Sequence, residues 1–413
     1  MIERAMYPPD KLIQTVGNNM KKNVLFVMSS LRHGGAERSL INLLQVFDYD
    51  KYEVDLLLFQ KEGGFLELVP PQVHMIEGGV ELSCLYATKR KEQLSIKHPI
   101  LSAEHFLFTF ISRKRTASLE GSRQYRWVNY YQKRIPPLKK RYDIAISYLQ
   151  VEQLYYLVDK VTAGRKLAWI HTDYSKVNTD REIDLAYLSR VDGVVSISDE
   201  CVNILKELFP PIADKCYMLP NISSSKVIWE LSAAFYPEEY SKDGVLTLIS
   251  IGRIAKQKHF DLAIQTAAEL KKRGVKFRWY VLGDGSLRNE LEQMIVKLDV
   301  KDCFAFIGLR SNPYPYIRYA DILVQTSLYE GKSVVLDEAK ILCTPIVSTN
   351  YATVRDQVSD HEGIVVEMTG AAIADGIQQM AEDKERYAAY LSEHEYDNTA
   401  CIKDYEALID GTV

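Results

Sequence analysis

The stretch Val245-Leu246-Thr247-Leu248-Ile249-Ser250-Ile251 runs directly into Gly252-Arg253, and Lys258 stands at the head of a helical pattern reaching residue 273. A continuous apolar and β-branched run of this kind reads as a strand buried on both faces, which belongs in a parallel sheet covered by helices. The same alternation continues toward the carboxyl terminus. Strands are expected at 277–282, 304–307, 321–325, 345–348 and 363–366, and helices at 286–298, 333–342 and 371–391. It also extends toward the amino terminus, with strand-like runs at 24–28, 53–59, 143–148, 166–170 and 193–197. Between the first two, Leu40, Leu43, Leu44 and Phe47 recur at i, i+3, i+4 and i+7, one face of a helix over 37–47. The segment 221–244, with Ser223-Ser224-Ser225 and Pro237-Glu238-Glu239, reads as a linker. The expected fold class is α/β, with two doubly wound, Rossmann-like parallel-sheet domains facing a cleft at the carboxyl ends of their strands. Residues 1–20 are expected to be an amino-terminal extension, 21–225 the first domain and 240–413 the second. A last helical pattern at 399–410 suits either domain, so it is free to cross back to the first.

Length and composition agree with this division. The 413 residues are 47% hydrophobic and 26% charged, as expected of a globular chain with room for two cores. The 51 basic and 55 acidic residues leave a net charge of −4, which excludes a chain that is basic throughout, such as a general nucleic-acid binder. No apolar run reaches membrane-spanning length. Met1 to Met20 carries Glu3, Arg4, Asp10 and Lys11 and lacks the apolar core of a signal peptide; Met20 is expected to be the natural start. Cys84, Cys201, Cys216, Cys303, Cys343 and Cys401 are scattered without metal spacing, and are read as reduced thiols of a cytoplasmic protein.

Four places carry candidate chemistry. Gly34 and Gly35 stand between a strand and the start of a helix, where backbone N–H groups suit a phosphate; such glycines also serve turn geometry alone. Gly252, Arg253 and Lys258 follow the first strand of the second domain, and two cations there suit a diphosphate as charge builds on it. Glu330-Gly331-Lys332-Ser333 leads into a helix that holds Glu338. Eight helical residues span ~12 Å, unlike the ~5 Å between the carboxylates of a retaining glycosidase. Two carboxylates flanking a phosphate site suit a ligand with hydroxyls at both ends, such as a sugar nucleotide. His171 follows strand 166–170 and is placed to hydrogen-bond a phosphate or sugar oxygen, or to serve structure alone. The sequence lacks the P-loop, dinucleotide, nucleophile-elbow and H-E-x-x-H signatures.

Six stretches in order now point to a family: Gly34-Gly-Ala-Glu-Arg-Ser39, Trp169-Ile-His-Thr-Asp-Tyr174, Gly252-Arg253 with Lys258, Leu282-Gly-Asp-Gly285, Asn312-Pro-Tyr-Pro-Tyr316 and Tyr329-Glu-Gly-Lys-Ser-Val-Val-Leu-Asp-Glu-Ala339. The chain resembles the family-4 retaining glycosyltransferases of the GT-B fold, in their bacterial capsular and exopolysaccharide branch. The resemblance implies transfer of a sugar from a nucleoside-diphosphate sugar, a UDP-sugar before others, to a saccharide or lipid-linked saccharide. It implies donor binding by Gly34, Gly35, Gly252, Arg253, Lys258, Gly331, Lys332, Ser333 and Glu338, with Glu330 on the donor sugar, Glu338 on the ribose and His171 near the reacting sugar. Glu330, His171, Arg253 and Lys258 would carry catalysis. No metal and no cofactor beyond the donor substrate are implied. His259 departs from the family, which usually has glycine there; its side chain is expected to narrow the nucleotide site or shift its preference. Lys332 is expected at the phosphates or an acidic sugar, or else in solvent.

Ten basic residues lie within 112–141, interleaved with Trp127, Tyr130 and Tyr131, and the aromatic run Phe106–Phe110 precedes them. The segment is read as a peripheral contact with an anionic membrane at its inner face, with Phe106–Phe110 and Trp127 inserting, or as a solvated helical face. Two other readings of the whole chain stay open: a GT-B partner without catalysis, which would have lost donor residues, and a GT-B sugar-nucleotide epimerase, which needs no acceptor surface.

Overall fold

The computed structural model describes residues 21–32, 34–86, 97–240 and 243–413; the expected extension over 1–20 lies outside them. Two parallel sheets organise the chain. The first holds β1 (Lys22–Met28), β2 (Tyr52–Leu58), β3 (His74–Glu77), β4 (Arg141–Ser147), β5 (Thr162–Ile170), β6 (Gly193–Ser196) and β7 (Cys216–Met218) in the order β3-β2-β1-β4-β5-β6-β7. The second holds β8 (Leu246–Ile251), β9 (Phe277–Leu282), β10 (Phe304–Gly308), β11 (Ile322–Gln325), β12 (Ile346–Thr349) and β13 (Gly363–Val366) in the order β10-β9-β8-β11-β12-β13. Both are doubly wound α/β sheets. The strand order reverses between β1 and β4 and between β8 and β11, so a crevice opens beyond the carboxyl ends of those strands.

The central strands are apolar on both faces because helices cover both. Val24, Leu25, Phe26, Val27 and Met28 are all fully buried, alternating between two separate hydrophobic clusters. β3 and β7, which the sequence pattern did not mark, are short edge strands of four and three residues. The stretch read as a linker contains a helix, Ser225–Ser232, whose Ile228 is buried against the core of the second sheet. Ser224, part of the serine run, caps it by accepting a hydrogen bond from the Val227 N–H at 3.4 Å. The last helix, Ile402–Asp410, does cross back. Tyr405, Leu408 and Ile409 join the cluster of Val24 and Phe26, Tyr405 donates to the Pro220 carbonyl at 2.8 Å, and Lys22 pairs with Asp410 at 2.8 Å.

Between β3 and β4 the described residues include helices Val80–Leu85, Pro99–Arg115 and Leu119–Arg126. Here the expectation for Trp127 is corrected: it is fully buried, its indole N–H donating to Asp159 at 3.0 Å, because the helical turn of 127–131 directs it into the core. Phe108 stacks on Tyr130 with ring centroids 3.9 Å apart. Ile100, Phe106, Leu107 and Phe110 are exposed. Among the described residues no helix is long and apolar enough to cross a membrane. All six cysteines are free thiols.

Candidate active site

At the carboxyl end of β8 the chain turns sharply through Gly252, whose N–H donates to the Leu282 carbonyl at 3.0 Å. The stem of Lys258 lies directly over this glycine; a Cβ at 252 would stand 2.7 Å from its Cε. Glycine is therefore needed to admit the lysine to the crevice. Lys258 Nζ meets Glu330 Oε1 at 2.6 Å. Ser327 donates to the same oxygen at 2.7 Å and Gln257 to Oε2 at 3.2 Å. A hollow behind this pair is lined by Ser250, Lys258, Thr326 and Ser327, at the ends of β8 and β11. Arg253 is exposed and makes no ion pair among the described residues. The site thus presents one free cation and one held by a carboxylate.

His259 occupies the left-handed region with φ 52° and ψ 43°, at the cap of helix Phe260–Lys272. A residue without a Cβ adopts that conformation at no steric cost, which accounts physically for the glycine of related sequences. The imidazole lies 3.5 Å from Asp261 and its Nδ1 is buried without a partner.

Helix Val334–Ile341 begins after Glu330, so Glu330 lies in the loop and Glu338 in the second turn. Ser333 caps it. Its N–H is already taken by Gln357 Oε1 at 2.8 Å and its hydroxyl by Gln325 at 2.8 Å. Lys332 is half-buried, 3.9 Å from Asp337. Gly331 faces the other domain: a Cβ there would touch Cys201 Sγ and Ile197 Cδ1, each at 3.8 Å. Glu338 is fully buried, and burial pushes its pKa up to about 7 against the opposing charge of Arg38.

From the first domain, Gly34 caps helix Gly35–Gln45 in extended conformation, and the Glu37 carboxylate lies over it, so that a side chain at 34 would strike it. Gly35 faces open space. Burial raises the Glu37 pKa, with its own backbone N–H and the charges of Arg253 and Arg32 opposing. Arg38 reaches across the domain junction. Its Nη1 donates to Glu338 Oε2, and its guanidinium lies 5.6 Å from the Phe65 ring and 5.8 Å from the Tyr314 ring. His171, at the end of β5, packs on Tyr148 with ring centroids 4.7 Å apart. Both ring nitrogens are buried without a hydrogen bond, and burial lowers its pKa to about 3, with Asn221 opposing. The ring is neutral, so it can offer a hydrogen bond but no charge.

The structure therefore brings Gly252, Lys258 and Glu330 into contact, with Arg253 on the same loop, and sets Glu338 against the first domain. Arg38 and Glu37 were not singled out in the sequence beyond their place in the Gly34–Ser39 stretch, and Gln257 and Ser327 not at all. The acid-base placement of Arg38 depends on a residue 300 positions away, which no local pattern reveals. Among the described residues no cluster of three or more His, Cys, Asp or Glu side chains is gathered for a metal.

Residues 235–395 match the family model of glycosyl transferases group 1. That segment is similar to the group 1 glycosyltransferases. It contains the whole second sheet together with Gly252, Arg253, Lys258, Glu330 and Glu338. The chain is 24% identical over 375 residues, 90% of its length and 93% of the relative's, to the N-acetylgalactosamine-N,N'-diacetylbacillosaminyl-diphospho-undecaprenol 4-alpha-N-acetylgalactosaminyltransferase of Campylobacter jejuni. A second relative, the uncharacterised glycosyltransferase MJ1059 of Methanocaldococcus jannaschii, is 27% identical over 186 residues, 44% of each chain. Among solved structures, Anabaena HepE in complex with UDP and glucose superposes with a TM-score of 0.65 at 15% identity, over 95% of this chain and all of that one. The architecture is accordingly the GT-B fold, and the match to the group 1 model falls in its second half.

Proposed function

We propose that the protein is a retaining, metal-independent glycosyltransferase that moves a sugar from a UDP-sugar to a saccharide or lipid-linked saccharide in surface-polysaccharide synthesis. The observation that carries this reading is the grouping of Arg253, Lys258 and Glu330 at the crevice end of β8 and β11. Departure of a nucleoside diphosphate needs charge stabilisation at its phosphates, and a free Arg253 with Lys258 supplies it without a bound cation. On donor binding Lys258 turns from Glu330 to the phosphate, which frees the carboxylate for the hydroxyls of the donor sugar. Glu338 accepts from the ribose. Gly34 brings the backbone of the first domain to the diphosphate, and neutral His171 donates to a sugar oxygen. The bond from the anomeric carbon to the β-phosphate oxygen breaks as the acceptor oxygen attacks on the same face, and the acceptor proton passes to the departing phosphate. Lys332, Ser333, Gly331 and Gly35 complete the donor loops. The lipid-linked acceptor named in the Campylobacter jejuni relative suggests the acceptor class.

A thermal shift with UDP-, GDP-, ADP- and CMP-sugars tests the donor. One class should raise the melting temperature and the rise should vanish in Lys258→Ala and Glu338→Ala; no rise with any class would overturn the reading.

Helix Pro99–Arg115 supports a membrane-facing acceptor side. Phe106 is 77% exposed and Phe110 54%, one turn apart, with exposed Arg113, Lys114 and Arg115 on the following turn. Four of the basic residues read as a patch are instead tied within the domain: Arg123 and Arg126 to Glu152, Arg134 to Glu104 and Lys140 to Asp55. Each free cation near an anionic surface contributes ~1 kcal/mol. The protein should pellet with vesicles containing anionic lipid at low salt, and Phe106→Ser with Phe110→Ser should abolish it; failure of the native protein to pellet would defeat this part.

A further inference from the structure

Glu338 is a carboxylate with no solvent at either oxygen, and the two oxygens are treated differently. Oε2 accepts from Arg38 Nη1, whereas Oε1 is buried and makes no hydrogen bond. Arg38 is itself only 7% exposed and held in place by packing beside Phe65 and Tyr314. The pair joins the first turns of Gly35–Gln45 to helix Val334–Ile341, one from each sheet domain. A second tie lies one helical turn away, where Tyr314 donates to Asn42 at 3.4 Å.

Two adjacent ribose hydroxyls are neutral donors. They can satisfy a carboxylate oxygen but cannot compensate its charge in a dry site. Burial already drives Glu338 toward its protonated form, with the Arg38 guanidinium acting against it. A protonated carboxyl would present a donor of its own where the hydroxyls need an acceptor. We propose that Arg38 is a positioning residue for the nucleotide: it holds Glu338 by one oxygen and leaves the other to the ribose of the donor. This rests on the reading of Glu338 as the ribose ligand. Its consequence is that the ribose site of the second domain is complete only while the first domain is docked on it, so nucleotide recognition and domain closure are one event.

The test measures dissociation constants for UDP, with GDP and ADP in parallel, each against its 2′,3′-dideoxy form. Hydrogen bonds to a charged group imply that the native protein prefers the ribose form about 10- to 100-fold. Arg38→Met should reduce that preference to about threefold or less, Arg38→Lys should keep an intermediate preference, and Arg38→Met should add little in a Glu338→Gln background. Melting curves and circular dichroism of each variant verify folding, and Arg38→Lys keeps the test decisive where Arg38→Met does not fold. A full preference retained in Arg38→Met, or tighter UDP binding than in the native protein, would overturn the proposal, the second result showing that Arg38 blocks the site. A native protein without ribose preference, or a preference retained in Glu338→Gln, would instead overturn the ribose role of Glu338, and the proposal with it.

Discussion

Lys258 Nζ lies 2.6 Å from Glu330 Oε1, so the cation proposed for the diphosphate and the carboxylate proposed for the donor sugar are in direct contact. The pair holds Lys258 and Glu330 together at the crevice ends of β8 and β11. Their side chains are only 16% and 11% exposed, so an exchange of partners requires the donor's phosphates and hydroxyls to replace the contacts each group gives up.

Lys258→Ala removes the cation but leaves Glu330 hydrogen-bonded to Ser327 and Gln257. Loss of stability should stay within about 1–3 kcal/mol, while the donor-induced rise in melting temperature disappears and kcat/KM falls at least about 100-fold. A variant with native kcat/KM would remove Lys258 from the site.

Gly252→Ala is expected to act through Lys258. The new Cβ would press on the lysine stem, which is flexible and can move aside, so folding survives. The displaced ammonium should raise the donor KM about tenfold or more, with little change in melting temperature. Unchanged donor KM would show that the lysine reaches the crevice by another path.

His171 gives a pH dependence of definite sign. Its folded pKa lies below the unfolded value, moved from 6.5 to about 3, so its contribution to stability is present above pH 6.5 and declines as pH falls toward 3. Glu338 acts the other way: its pKa rises from 4.5 to about 7, so its contribution is present below pH 4.5 and is lost as pH rises through 7. Melting temperature measured from pH 6.5 to 5 should fall less steeply in His171→Gln than in the native protein. Equal slopes would mean that the imidazole is solvated.

His259 can be tested by backbone conformation alone. His259→Gly should leave stability within about 1 kcal/mol, and His259→Val, β-branched in the left-handed region, should cost about 1–2 kcal/mol. Chemical denaturation midpoints decide. If Gly and Val behave alike, the local backbone differs from the φ of 52° described here.

Much of this was legible in sequence because parallel strands buried on both faces are continuous apolar runs, as in Leu246–Ile251 and Gly363–Val366. β3 and β7 were not, since an edge strand of three or four residues carries too short a pattern. The helix Ser225–Ser232 was hidden by serines that read as a flexible stretch but include its cap. Trp127 looked like a surface aromatic because basic residues surround it; only the helical phase decides which of them face out. The loop residues Gly252, Arg253, Lys258 and Glu330 were found through their places at strand ends. The Arg38–Glu338 contact could not be, because it arises from docking two domains that are read separately.

The return of Ile402–Asp410 to the first domain has a consequence for how the molecule is made. Tyr405, Leu408 and Ile409 complete a hydrophobic cluster begun by Val24 and Phe26. On the ribosome the strands from Lys22 to Met218 emerge before any of the second sheet, yet the piece that closes their core is synthesised after it. The half that is translated first is therefore the half that is finished last, and its apolar seam must wait, uncovered, for the synthesis of the whole second sheet.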